Sequence, residues 1–410
     1  MAAVAVSHVY PLGSRLNEHG RLEVGGCDLA DVAREFGTPA YVYAEDDMRA
    51  RARAYVEALG ARTDSFEVVY AAKAFPATAA FRLMAEEGLS CDVASAGELH
   101  LALAGGFDPA RIYMHGNNKT QAELDYARER GVGHVVVDSF DEIDRLEGTG
   151  QRVLIRVTPG IKASTHSYIQ TGQADSKFGF PLSQVPRAVE RSAEAGLELR
   201  GLHAHIGSQI FDLEAFEAVA EVLRGIGEWP LLNLGGGLGI AYTTADEPPS
   251  VEAYAEALLR HVPPGVKVLC EPGRSVVGNA GVTVYTVGTV KRVEGVRTWV
   301  AVDGGMSDNL RPMLYDARYE AEIVGRFGGE EPCAVAGMHC ESGDVLVRDV
   351  RLDDPRPGDL LVIPATGAYG HSMANNYNAA RRPPVVVCRD GDARLVVRRE
   401  TFDDLTLRDV

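Results

Sequence analysis

Val68-Val69-Tyr70-Ala71-Ala72-Lys73, residues 68–73, is a short apolar run that ends on a charged side chain. Runs of the same kind recur, separated by longer segments of helical period: Ser90 to Ala94, Ile112 to Gly116, His134 to Asp138, Val153 to Val157, Gly201 to Ile206, Leu231 to Leu234 and Val266 to Glu271. Short apolar runs fit strands buried on both faces, and their alternation with helical segments fits parallel strand-helix units. Eight of them predict an α/β fold, a (β/α)8 barrel whose ligand site lies at the C-terminal ends of the strands. Those ends carry Lys73, Asp92, Asn117, Asp138, Arg156, His205, Gly235 to Gly237 and Glu271, whereas the middles of the runs are mostly apolar. Polarity therefore gathers on the face where a barrel does its chemistry.

Beyond about residue 281 the helical period fades, and β-type runs take over: Val282 to Val290, Thr298 to Val302, Val345 to Val350, Leu360 to Pro364 and Val385 to Cys388. Asp390-Gly391 is a tight hairpin signal. The expected organisation is a barrel over residues 38–280 and a separate β-rich domain over 281–410. The first 37 residues, with Val24-Gly25-Gly26, are expected to return to that second domain.

The chain has 410 residues, 46% of them apolar, enough for two or three domains with substantial cores. With 41 Lys plus Arg against 58 Asp plus Glu, its formal charge of -17 would repel a phosphate backbone. Nucleic acid and anionic membrane are therefore not expected as partners. No apolar run approaches the roughly 20 residues of a membrane helix, and Met1 to Tyr10 lacks the basic flank of a signal peptide. The six cysteines (Cys27, Cys91, Cys270, Cys333, Cys340 and Cys388) form no Cys-x-x-Cys pair, which fits a reducing cytoplasm.

Lys73 lies among apolar neighbours up to Phe75-Pro76, where an unpaired ammonium would be desolvated, favouring the neutral amine a Schiff base needs. Alone, it reads equally well as a lysine snorkelling out at a strand end. Gly235-Gly236-Gly237 would let backbone N–H groups approach a phosphate closely, although any tight turn could use such a triplet. It is not a dinucleotide fingerprint, because the Gly-x-Gly-x-x-Gly spacing fails. Its position matters more: barrel phosphate sites are frequently built after strands seven and eight, and Glu271-Pro272-Gly273-Arg274 supplies the second half. Glu271 could keep a pyridine nitrogen protonated, or it could form a surface ion pair. His205 could stack on a planar cofactor, while His203 reads as a core histidine satisfied by a backbone carbonyl. Neither has a His or Cys partner at ligand spacing, so no metal site is expected. Cys340-Glu341-Ser342-Gly343-Asp344 groups a thiol and two acids in the β-domain, where a lone cysteine also reads as a small buried hydrophobe.

Taken together, these motifs resemble the alanine racemase and ornithine decarboxylase fold class of pyridoxal 5′-phosphate (PLP) enzymes, and within it the diaminopimelate decarboxylases. The likeness runs over nearly the whole chain. It rests on Tyr70 to Phe75, His115-Gly116-Asn117-Asn118-Lys119, Ser176-Lys177-Phe178-Gly179, His205 to Gln209, Asn233 to Gly239, Glu271 to Arg274, Asp308 to Pro312, Cys340 to Asp344 and Gly367-Ala368-Tyr369. Cys340 to Asp344 discriminates best, and Ala379-Ala380-Arg381-Arg382 departs from the family's usual run. The resemblance implies that Lys73 holds PLP, His205 covers one ring face, Glu271 binds the pyridine nitrogen, and Asp92 supports the site with Arg156 as its ion-pair partner. Ser208, the backbones of Gly235, Gly236, Gly237, Gly273 and Arg274, and the Tyr369 hydroxyl would hold the phosphate. Arg274, Arg311, Tyr315 and Tyr369 would bind the far carboxylate of the substrate, and Glu341 its ammonium. Cys340 would donate a proton. It further implies a homodimer with shared sites, Lys177 of one subunit meeting Asp344 of the other, that converts meso-2,6-diaminopimelate into L-lysine and CO2. A decarboxylase acting on ornithine, carboxynorspermidine or a carrier-bound amino acid, and a non-catalytic PLP-binding homologue, are the alternatives.

Overall fold

The computed structural model describes residues 4–161 and 176–410. The chain forms two compact units, residues 51–239 with 248–275, and residues 1–50 with 240–247 and 276–410. These divisions differ from the sequence boundaries at 38 and 281. Ala40–Ala44 lies beyond the first of them, yet it pairs with Gly281–Val293 and Val385–Arg389 in the second unit's sheet.

In the first unit, eight parallel strands follow one another around a closed ring: Phe66–Ala71, Ser90–Val93, Ile112–Met114, His134–Val137, Arg152–Thr158, Glu198–Ala204, Leu231–Asn233 and Lys267–Cys270. The last pairs with the first, Leu269 opposite Glu67, which closes the barrel. Val69, Tyr113, Val136, Leu154, Leu231 and Leu269, from six different strands, pack together as one buried cluster. Closure pairs each of the eight strands on both sides.

Polar side chains cap five of the helices that follow barrel strands. Ser95, Ser139, Asp212 and Ser250 accept backbone N–H bonds at the starts of the helices Ala96–Ala104, Phe140–Arg145, Leu213–Ile226 and Val251–Leu259, and Thr120 with Glu123 forms a capping box on Gln121–Glu129. Each cap contributes about 1 kcal/mol, and those at 95, 120 and 139 follow within a few residues of Asp92, His115 and Asp138. The geometry of the polar strand ends is thus fixed by local chemistry on both sides.

The second unit is built on the 13-residue strand Gly281–Val293, which pairs with Ala40–Ala44, Arg297–Val302 and Leu360–Ile363. Val345–Leu352 and Glu331–Ala336 extend one side of the sheet, and Val385–Arg389 with Asp392–Val397 the other. Asp390 and Gly391 adopt φ 51° and 81°, the conformation a two-residue hairpin requires. Part of the N-terminal segment packs here: Leu22, Val24, Cys27 and Leu29 share a core with Val282, Val284, Val386 and Cys388. Glu331–Ala336 is absent from the sequence reading, because Pro332 and three small residues blur its apolar run.

Candidate active site

Glu271 directly follows the eighth barrel strand and is only 7% exposed. A buried carboxylate needs partners, and residues from the seventh, sixth and third strands of the ring converge on it. Asn233 Nδ2 donates to Oε1 at 2.7 Å, His115 Nε2 lies 2.9 Å from Oε1, and His203 Nε2 lies 3.1 Å from Oε2. Burial by itself would raise the Glu271 carboxyl, but His115 and His203 outweigh it and hold it well below the usual range. Burial pushes His203 down to about 4, so near neutrality it is a neutral hydrogen-bond donor to an ionised acid. The surface ion pair considered for Glu271 does not occur. Nor does His203 turn to a backbone carbonyl. Sequence spacing offered no ligand partner for His203, yet the barrel brings its donor atom, that of His115 and a Glu271 oxygen within 4.8 Å of one another.

Lys73 sits in the 3-10 turn Ala72–Ala74 that leaves the first strand, with buried alanines on either side. Its own side chain is exposed, contrary to the desolvation expected from its apolar neighbours. The turn points the lysine outward while Ala72 and Ala74 take the buried positions. Asp92, at the end of the second strand, accepts the Ala72 N–H at 3.2 Å and so fixes that turn. Burial, reinforced by the Glu271 charge, raises Asp92 to about 7. Arg156 pairs with Asp138, at 3.7 Å, rather than with Asp92. The reason is strand order: Asp138 ends the strand adjacent to that of Arg156, and Asp92 stands two strands further round.

Gly236 N donates to His205 Nδ1 at 3.2 Å, which places the ring proton on Nε2. Burial, then the positive charges of Lys73 and Arg156, keep this imidazole neutral. Gly235 N donates to Asn233 Oδ1 at 3.0 Å, so the triplet's first two N–H groups brace the side chains around Glu271. A Cβ on Gly236 would lie 2.0 Å from the Glu271 carbonyl oxygen, and Gly235 has φ +68°. Both positions therefore require glycine. Arg274 donates to Ser208 Oγ from Nε at 3.2 Å and from Nη2 at 2.9 Å. Gly273 packs against Ala71, where an added Cβ would come within 2.8 Å.

In the second unit, Cys340 and Glu341 are exposed, and Glu341 Oε1 accepts the Tyr377 hydroxyl. Asp344 is 3% exposed and accepts the N–H groups of Met306 at 2.7 Å and His339 at 2.8 Å. It thus fastens its own loop, whereas the resemblance implied that it meets Lys177 of a second subunit. Lys177 is exposed, with its ammonium 4.9 Å from the Phe178 ring centre. Arg311 is buried, its guanidinium 4.5 Å from the Tyr242 ring centre and bonded to the Tyr319 hydroxyl. Tyr315 is half-buried at the end of the helix Arg311–Tyr315, and Tyr369 has φ +66° just before Gly370–Met373.

Residues 45–278 match the family model of the pyridoxal-dependent decarboxylases' pyridoxal binding domain. The diaminopimelate decarboxylase of Bacillus subtilis (strain 168) is 47% identical over 97% of both chains, and that of Mycobacterium tuberculosis (strain H37Rv) is 44% identical over the same shares. A crystal structure of diaminopimelate decarboxylase from M. jannaschii with L-lysine superposes with a TM-score of 0.89, at 34% identity over 97% of each chain. The chain belongs to the diaminopimelate decarboxylase family. A lysine/ornithine decarboxylase from Vibrio vulnificus, 24% identical with a TM-score of 0.77 over 88% of this chain and 96% of its own, shares the fold.

As a member of this family the chain is a PLP-dependent lyase, and the barrel's residues suit that cofactor. A carboxylate offers about four acceptor sites. Asn233 and His203 fill two of them on Glu271 and His115 stands 2.9 Å away, so the ionised acid keeps acceptor capacity for a further donor. Lys73 offers an exposed amine, and Arg274 with Ser208 offers cationic and hydroxyl groups suited to a phosphate. His115 and Asn233 are functional neighbours that the residue-level reading passed over. Asn117 drew attention at the third strand's end, but that strand stops at Met114. The first polar residue beyond it is the buried His115, whereas Asn117 is exposed.

Proposed function

We propose that this chain decarboxylates meso-2,6-diaminopimelate to L-lysine and CO2, the last step of lysine biosynthesis, as a cytoplasmic homodimer. The observation that carries this is the buried Glu271, held as an anion among Asn233, His203 and His115 at the end of the eighth barrel strand. An anion there would keep a proton on the pyridine nitrogen of PLP, which when bound supplies the electron sink that decarboxylation needs. The remaining work falls to the chain. Lys73 supplies the amine that holds the cofactor, and Asp92 holds the turn that presents it. Neutral His205 covers a ring face without adding positive charge. Ser208, Arg274, Gly237, Gly273 and Tyr369 hold the phosphate. After CO2 leaves, Cys340 gives the α-carbon its proton.

Substrate choice follows from the far end of the molecule. Diaminopimelate carries a second amino acid head there, whereas ornithine and lysine carry an ammonium alone. Arg311, set between Tyr242 and Tyr319, is a fixed guanidinium suited to a carboxylate; Arg274, Tyr315 and Tyr369 would serve the same carboxylate and Glu341 the ammonium. Leaving such a cation without its carboxylate in a closed site costs several kcal/mol. The test is turnover by the PLP-loaded protein of meso-diaminopimelate, L-ornithine and L-lysine in turn. Lysine and CO2 should form from the first, with specificity constants lower by about 100-fold or more for the other two. Comparable turnover of ornithine would leave only the broader decarboxylase class.

A further inference from the structure

The run Ala379-Ala380-Arg381-Arg382 belongs to a segment held on two sides. At one end, Glu400 gathers it. Its Oε2 accepts Asn376 Nδ2 at 2.6 Å and Arg382 N at 2.8 Å, its Oε1 accepts Arg382 Nε at 2.6 Å, and Arg381 lies 4.5 Å from the Phe402 ring centre. Between these ties, Asn378 and Ala379 both have positive φ, 53° and 55°. Alanine in the left-handed region costs roughly 1 kcal/mol and persists only where its surroundings impose it.

At the other end, the segment holds the residues on both sides of Cys340. The Tyr377 hydroxyl bonds Glu341, and Asn378 Oδ1 lies 3.2 Å from His339 Nδ1. An amide oxygen only accepts, so Nδ1 carries the proton, and Nε2 accepts the Ser307 hydroxyl at 2.8 Å. His339 is 8% exposed and so is locked in this orientation.

We propose that Glu400 is a positioning residue for Cys340, acting through the strap 376–382. This rests on the reading of Cys340 and Glu341 as site residues. The strap makes their placement depend on the C-terminal segment, a dependence that no motif around Cys340 records.

The experiment is a double-mutant cycle of Glu400→Ala and Tyr377→Phe in the full-length, PLP-loaded enzyme. It has two readouts: kcat/KM for meso-diaminopimelate, and the rate at which iodoacetamide alkylates Cys340, the one exposed cysteine of the six. Each single variant should lower kcat/KM about tenfold and change the alkylation rate, with the cofactor's visible spectrum unaltered. The double variant should be no worse than the worse single, because both changes break one path. Losses that multiply, or a Glu400→Ala enzyme with wild-type values in both readouts, would overturn the proposal. Should Glu400→Ala fail to fold, Glu400→Gln tests the same charge. Cys340→Ala is the control. If it stays fully active, the reading of Cys340 fails, and the alkylation rates alone then decide whether the strap sets that loop.

Discussion

Asp92 keeps its proton up to a pH of about 7 because burial, and then the charge of Glu271, disfavour the anion. An unfolded aspartate releases its proton near pH 4. Between those values the folded chain binds the proton and the unfolded chain does not, so Asp92 lowers stability as the pH rises through the window. Asp92→Asn removes the effect. Relative to wild type, the cofactor-free variant should gain about 1 kcal/mol per pH unit from pH 4 to 7 and no more above it, measured by urea unfolding of both proteins. A stability difference that is flat with pH would show that Asp92 is an ordinary ionised carboxylate. At this scale the sequence named Lys73, Asp92, His205 and Glu271 from their places at strand ends. What it could not reveal was who touches whom. Arg156 finds Asp138, and His115 with His203 finds Glu271, because strand order around a closed ring, not distance along the chain, sets the partners.

Among the elements, the eight strand runs were legible because a parallel barrel buries both faces and leaves continuous apolar stretches. The β-unit was read less completely. Its strand Glu331–Ala336 is short of large side chains, and Ala40–Ala44 resembles one more barrel run until its partners are known. The glycine triplet after the seventh strand is an element-level device. Its first two N–H groups brace Asn233 and His205, and Gly236 passes against the carbonyl of Glu271. Gly236→Ala must therefore displace either the loop or the eighth strand's end, where a new Cβ would sit 2.0 Å from an oxygen. PLP affinity should fall at least tenfold, corresponding to about 1.4 kcal/mol, with the barrel still folded by circular dichroism. Unchanged cofactor affinity would mean that the two loops are not packed as described.

At the scale of the whole molecule, the formal charge of -17 disfavours a polyanionic partner, and among the described residues no helix is long and apolar enough to cross a membrane. If the sites are shared between subunits, Lys73 and Cys340 of one site come from different chains. Mixing equal amounts of Lys73→Ala and Cys340→Ala dimers should then restore about one quarter of wild-type activity, since half the exchanged dimers carry one intact site of two. No recovery after demonstrated subunit exchange would place both residues within one chain.

Lys73, in the turn that leaves the first barrel strand, is the amine proposed to hold the cofactor. Reduction of the PLP-loaded protein with borohydride, followed by digestion and mass spectrometry, traps the cofactor on whichever lysine carries it. The pyridoxyl group should appear on the peptide containing Lys73 and be lost from that position in Lys73→Ala, together with turnover of meso-diaminopimelate. A labelled lysine elsewhere, with Lys73 unmodified in an active enzyme, would contradict the account.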